Sequence, residues 1–436
     1  MIKVFKAIGI TILTSLFYFP FVTSWLPFAN TKMVLAVIGL MLLLYTGIMS
    51  EDGTIRRNAI YIGLGSLAVS FVSFVSTVVN NTNDYEFVSY FISVWTWLMG
   101  AYTVIKAIDF AYGRATYRLL ANFLIAVCVC QSILAQIIDA NQSVAAWVDS
   151  FMISTGFMGK PVGDRLYGVG CALDVAGLKF SAVLILNASM FFTVRSKRRW
   201  LEFVYLSSFA VITLFGSMIS RTTSIGAVAA LTYTVIYSII HRDNDLVRYF
   251  WCAFLISIAI LIPICTYCYH TREGFRENMD FGFEGFFSLA RTGEWKVRSN
   301  EQLSGMMVWP DNAKTWIIGD GYFEGSSSDP YYTGPSFSNY YMGTDVGYCR
   351  YVFYFGLVGL FMLSGFFFQS AYICAKNNRY HTLMFMFVLL MNFIGWYKVS
   401  SDLFPFFALF IMLGNGCEQT DTEPEHRRDL IKLGNP

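Results

Sequence analysis

Charged residues are scarce in this 436-residue chain: Asp, Glu, Lys and Arg together make up 14% of it, against about 25% in soluble proteins. A water-covered globular surface is thereby excluded. Histidine is scarcer still, with His241, His270, His381 and His426 at no metal-ligand spacing, so no metal centre is expected. The chain has neither a phosphate loop nor a dinucleotide fingerprint, and no cofactor is expected. A net charge of +2, with no basic face outside the connections between apolar runs, gives no sign of nucleic-acid binding, and no nucleic-acid partner is expected. Of the nine cysteines, Cys128, Cys130, Cys252 and Cys374 lie within apolar runs, where cysteine serves as a small hydrophobe rather than as part of a disulfide framework.

What the chain has instead is apolar length. Hydrophobic residues make up 56% of it and aromatic residues 18%, the composition of an all-α polytopic integral membrane protein in contact with membrane lipid. Runs long enough to cross a bilayer lie near 5–25, 33–49, 58–79, 87–108, 119–139, 174–194, 201–217, 222–240, 249–268, 347–372, 380–397 and 402–414, which predicts about twelve spans. The first run is too long for a signal-peptide core and is expected to be a retained span. Lys3 and Lys6, Arg56 and Arg57, Arg114 and Arg118, RSKRR at 195–199, Arg242 and Arg248, Lys376 and Arg379, and Arg427 and Arg428 then fall on one side. Positive charge is retained in the cytoplasm, so both termini and the tail 415–436 are expected there. Lys32 and Lys398 are single exceptions on the opposite side.

Two segments on that opposite side exceed what a connection needs: 140–173, and 269–346 between the ninth and tenth spans. The second contains most of TWIIGDGYFEGSSSDPYYTGPSFSNYYMGTDVGYCR at 315–350 and is too aromatic for a solvated tail, so it is expected to fold against the bundle. Aromatic rings stack on sugar faces while Asp, Asn and Ser bond hydroxyls, which suits a glycan. An aromatic belt with ordinary turn residues is the plainer reading.

Arginine where the outer side begins is the next signal. Arg165 lies in GDRLYGVGCALDVAGLKF and Arg221 in MISRTTSIGAV, near the outer ends of neighbouring spans. A guanidinium fork matches phosphate oxygens in a bidentate manner, and Ser220, Thr222, Thr223 and Ser224 add donors where a helix should begin. Together these predict a diphosphate clamp; a snorkelling arginine is the alternative at either site alone. Asp174 and Lys179, five apart, do not share a helix face. Most spans lack a central charge, which weakens a proton- or ion-coupled transporter.

SRTTSIG after one span, a large outer loop with WIIGDGYF, and TDVGYCRYVFYFGLVGL leading into the next span resemble bacterial O-antigen polymerases over most of the chain. The family's outer-loop pattern spaces an arginine from a glycine; here Arg165 is followed by Gly177, one position further on. O-antigen ligases share the architecture but carry a histidine within the large loop, where this chain has only His270 at its start. The resemblance implies an integral-membrane glycosyltransferase of the bacterial inner membrane. Its donor and acceptor would be undecaprenyl diphosphate-linked glycans, with a chain-length regulator protein as a further partner. Arginines can stabilise the leaving diphosphate without a metal, and Arg291, Arg298 and Arg350 would supplement Arg165 and Arg221. The attacking hydroxyl needs a base, for which Asp345, Asp320, His270 and Glu294 are the candidates. A ligase, a flippase of lipid-linked sugar and a noncatalytic subunit are the competing classes.

Overall fold

The computed structural model describes residues 2–47, 53–153, 165–193, 199–241, 245–324 and 340–414. Most of the RSKRR cluster, Arg242, the tail 415–436 and the middle of the quoted loop stretch, 325–339, lie outside the described residues. Helix dominates, as apolar runs require when lipid offers backbone groups no partner.

The first helix, α1 (Ile2–Tyr18), is shorter than the expected run 5–25. Pro20 lacks an N–H and disfavours helix before it, and the chain turns into strands β1 (Val22–Thr23) and β2 (Leu26–Asn30). Thr31 ties this turn down, its hydroxyl donating to the Leu16 carbonyl at 2.7 Å and its N–H to the Phe21 carbonyl at 3.0 Å. Next come α2 (Thr31–Gly47), α3 (Gly53–Asn80), α4 (Tyr90–Tyr112) and α5 (Tyr117–Ala140). The segment after α5 is not wholly irregular: Asn141 caps α6 (Gln142–Phe151), and β3 (Met152–Ile153) completes a three-stranded sheet ordered β2-β1-β3. Then follow α7 (Leu173–Thr193), α8 (Arg199–Ile219), α9 (Thr222–Ile240) and α10 (Asp245–Thr271).

The expected large loop contains four short helices, α11 (Glu273–Gly282), α12 (Glu284–Thr292), α13 (Arg298–Gly305) and α14 (Ala313–Ile318). The chain closes with α15 (Gly347–Asn377), α16 (Thr382–Trp396) and α17 (Phe404–Leu413). Among the described residues eight helices are long and apolar enough to cross a membrane, and Thr31–Tyr45 and Phe404–Leu413 are shorter apolar helices. Helix α7 is central, with 94% of its apolar window buried, whereas α10 is peripheral at 6%.

The two ends of the bundle differ. At one, Lys6 Nζ donates to the Ala111 carbonyl at 3.0 Å and Tyr117 stacks on His381 at 3.7 Å, which brings the start of α1 and the connections α4–α5 and α15–α16 to the same end. At the other end α7 and α9 begin, α8 and α16 finish, and the short helices pack. Close approach of α7 to α9 depends on Gly177: a Cβ there would stand 2.5 Å from Ser220 Oγ and 2.9 Å from Thr222 Cβ. Ser181 follows one turn on, donating to the carbonyls of Gly177 (2.7 Å) and Thr222 (3.0 Å).

The GDGYF stretch is fastened by a break in α15. Gly356 takes φ 67°, a left-handed value that frees the carbonyls before it from helical bonding. The Asp320 N–H bonds the Phe353 carbonyl at 2.6 Å and the Gly321 N–H the Tyr354 carbonyl at 3.0 Å. Ser76 Oγ donates to that same Tyr354 carbonyl at 2.7 Å. The motif thus supplies donors that the bent helix lacks.

Candidate functional site: an arginine cluster at the helix ends

Two residues, Ser220 and Arg221, connect α8 to α9. So tight a turn places the Arg221 side chain beyond both helix ends, over the short helices of the loop. Its Nε donates to the Phe281 carbonyl at 2.9 Å, its Nη1 to Ser299 Oγ at 2.9 Å, and its Nη2 pairs with Glu284. The guanidinium lies 4.2 Å from the Phe281 ring centroid, and that of Arg165 lies 4.9 Å from the same ring. Arg291 and Arg298 join Arg221 around a cleft of about 580 Å³, whose wall also holds Phe281, Asp280 and Glu277. Four of the five expected arginines therefore meet.

The three arginines of the cleft face three carboxylates, Glu277, Asp280 and Glu284, and Arg165 beside Phe281 is the cation in excess. Arg221 pairs with Glu284, and Arg291 lies 3.4 Å from Asp280. Arg165 and Arg298 have no carboxylate within 4.0 Å among the described residues. Burial lowers the Arg221 pKa most; Glu284 opposes that, and Arg165 and Arg298 add to it. Like charges held this close favour a bound anion.

The fifth arginine stands apart. Arg350 is buried, donating to Ser400 Oγ at 2.6 Å and to the Phe323 carbonyl at 3.1 Å, with rings of Phe323 (3.7 Å) and Tyr340 (4.3 Å) against its guanidinium. It packs the loop onto α15 and does not line the cleft.

The hydroxyls around Arg221 are engaged by the protein itself, contrary to expectation. Ser220 Oγ and Thr222 Oγ1 donate to Asp174 Oδ1 at 2.7 and 2.8 Å, Thr223 Oγ1 to the Gly216 carbonyl at 3.0 Å, and Ser224 Oγ to Ser217 Oγ at 2.8 Å. They hold the turn so that Arg221 projects from it. Asp174 also pairs with Lys398 at 2.8 Å, and Lys398 lines a second cleft, of about 170 Å³, together with Arg221. Sequence reasoning missed this lysine as a site residue, although its place on the wrong side of the charge pattern was the available signal. Phe281, Glu284 and Ser299 had no signal: only folding of α11 to α13 brings them to Arg221.

Among the acid–base candidates, Asp345 is half-buried and receives no hydrogen bond from the described residues. Burial pushes its carboxyl up to about 6, with Arg350 pulling down, Asp174 pushing up and Lys398 pulling down. Such a carboxyl suits proton transfer near neutral pH. Asp320 is otherwise engaged: it accepts from Thr315 Oγ1 at 2.7 Å and the Tyr341 hydroxyl at 3.3 Å, and lies 3.4 Å from Lys314. His270 is exposed at the end of α10, edge-on to Tyr269, and Glu294 is exposed and paired with Lys296 at 2.7 Å. None of the four candidates, Asp345 included, lines the arginine cleft.

Fold and composition together define the class, a predominantly helical, multi-pass membrane protein with a charged cleft at one end of its bundle. No family model, no curated protein and no solved structure matches the chain.

Proposed function

We propose that the chain is an integral-membrane glycosyltransferase that polymerises undecaprenyl diphosphate-linked oligosaccharide repeat units into O-antigen or capsular polysaccharide. The observation that carries this reading is the convergence of Arg165, Arg221, Arg291 and Arg298 around Phe281 and its cleft. The acceptor hydroxyl attacks the donor's anomeric carbon, Asp345 takes its proton, and the bond to the lipid diphosphate breaks with the electron pair leaving on phosphate oxygen. The arginines stabilise that charge as it grows. In this reading the bundle makes about twelve spans in a bacterial inner membrane. Both termini lie in the cytoplasm and the arginine end faces outward, with a chain-length regulator as partner.

A ligase shares this chemistry but moves finished chains, and a flippase needs none of it. Deletion separates them. Loss of a polymerase leaves surface lipid with at most one repeat unit, whereas loss of a ligase leaves bare acceptor and long carrier-linked polymer. Accumulation of long carrier-linked polymer would overturn the reading, as would an unaltered chain ladder from Arg221→Ala.

A further inference from the structure

Two clefts share one wall, the Arg221–Glu284 pair, and are chemically unlike. The larger is polar, with Glu277, Asp280, Ser288, Arg291 and Arg298 around it. The smaller has a cationic end, Arg221 and Lys398, and apolar sides from Ile225, Val228, Phe286 and Trp295. Phe286 and Trp295 form an edge-to-face pair at 5.0 Å, half-exposed rather than packed in the core. Ile225 and Val228 begin a stripe that runs down the outward face of α9 through Val235 and Ile239, each at least 42% exposed. The spacing keeps that stripe on one helical face, so the small cleft opens onto the apolar side of the bundle.

Resting on the function proposed above, we infer that one polyisoprenyl diphosphate-linked sugar lies across both clefts, its hydrocarbon in the small one along α9 and its sugar in the large one. The diphosphate sits at the shared wall, on Arg221 and Lys398. This gives Lys398 a reason to lie against the charge pattern: Asp174 holds its ammonium at the cleft, 2.8 Å away, until a stronger anion arrives. Glu284 acts in the opposite sense, because it occupies the Arg221 fork that the diphosphate needs. Its carboxylate swings aside on binding.

Binding to the purified full chain in nanodiscs tests the arrangement with two probes, inorganic diphosphate and farnesyl diphosphate. Farnesyl diphosphate should bind at least about tenfold tighter, since apolar surface adds affinity only if the small cleft takes it. Val228→Trp fills the cleft from an exposed position and should bring farnesyl diphosphate to the affinity of inorganic diphosphate, leaving the latter unchanged. Trp295→Ala should weaken the same probe selectively and serves if Val228→Trp fails to fold. Lys398→Ala should weaken both probes, whereas Glu284→Gln should tighten both. Equal affinity of the parent chain for the two probes, or displacement of farnesyl diphosphate by equimolar phosphatidylglycerol, would overturn the inference. A chain that makes polymer without this probe pattern fails the inference alone. One that shows the pattern without making polymer fails the polymerase reading alone.

Discussion

Lys398 Nζ lies 2.8 Å from Asp174 Oδ1, joining the segment after α16 to the first turn of α7. Both side chains are about one-fifth exposed, and the same carboxylate oxygen accepts the hydroxyls of Ser220 and Thr222, the residues flanking Arg221. One carboxylate thus sets both the cation of the small cleft and the turn that aims the main arginine.

Asp174→Asn should therefore cost more than a surface ion pair. The amide removes the charge facing Lys398 and weakens two hydroxyl bonds, a loss of about 1–3 kcal/mol. Thermal unfolding in detergent is the measure. Adding Lys398→Met should restore part of the stability, because no uncompensated charge then remains. A double variant less stable than Asp174→Asn would show that the pairing is not the cause.

Gly177 predicts a graded series. The Cβ of alanine would stand 2.5 Å from Ser220 Oγ and 2.9 Å from Thr222 Cβ, so both must already shift, and the two further methyls of valine demand more. Overpacking of this kind costs about 1–3 kcal/mol, here directed at the Arg221 turn. Gly177→Val should lower polymer output more than Gly177→Ala while both chains reach the membrane. Equal, full output from both would remove the α7–α9 contact from the account.

Arg221 and Arg350 should fail in different ways. Lysine at 221 cannot serve the Phe281 carbonyl, Ser299 and Glu284 together, as a point charge lacks the planar fork. Its effect should appear as lower turnover at normal protein level. Arg350→Ala leaves the Phe323 carbonyl and Ser400 without their donor and a space beside two rings, so membrane protein level itself should fall. Immunoblotting beside the chain ladder distinguishes these outcomes, and a stable, inactive Arg350→Ala would place Arg350 in the chemistry instead.

Asp345 makes pH predictions of two kinds. With its carboxyl at about 6 in the folded chain, transfer should decline as pH falls through that value, and Asp345→Asn should be slow with no such limb. The folded state holds this proton more tightly than the unfolded state, whose carboxyl titrates near 4. This group's contribution to stability therefore falls as pH rises from about 4 to about 6 and is level above. Asp345→Asn should accordingly be at least as stable as the parent at pH 7.5, and less active. A parent profile flat from pH 5 to 7 would move the search for a base to Glu277 and Asp280, which line the cleft beside the arginines.

Apolar run length alone determined the class of this protein and most of its long helices, since lipid leaves a chain few ways to satisfy its backbone. Run length failed at 5–25 because Pro20 lies inside that run, where it ends α1 and permits the hairpin. Residue chemistry pointed to Arg165 and Arg221, as cations at the outer ends of spans are costly wherever they have no use, and the family resemblance added Arg291, Arg298 and Arg350. Only tertiary structure gathered them around Phe281, set Arg350 apart, and assigned Asp320 to a turn that serves the bent α15. Those outcomes depend on contacts between residues far apart in the chain: Asp174 with Lys398, Arg221 with Glu284, Ser76 with Tyr354. Periodicity and composition describe what a segment buries, but not which distant segment lies against it.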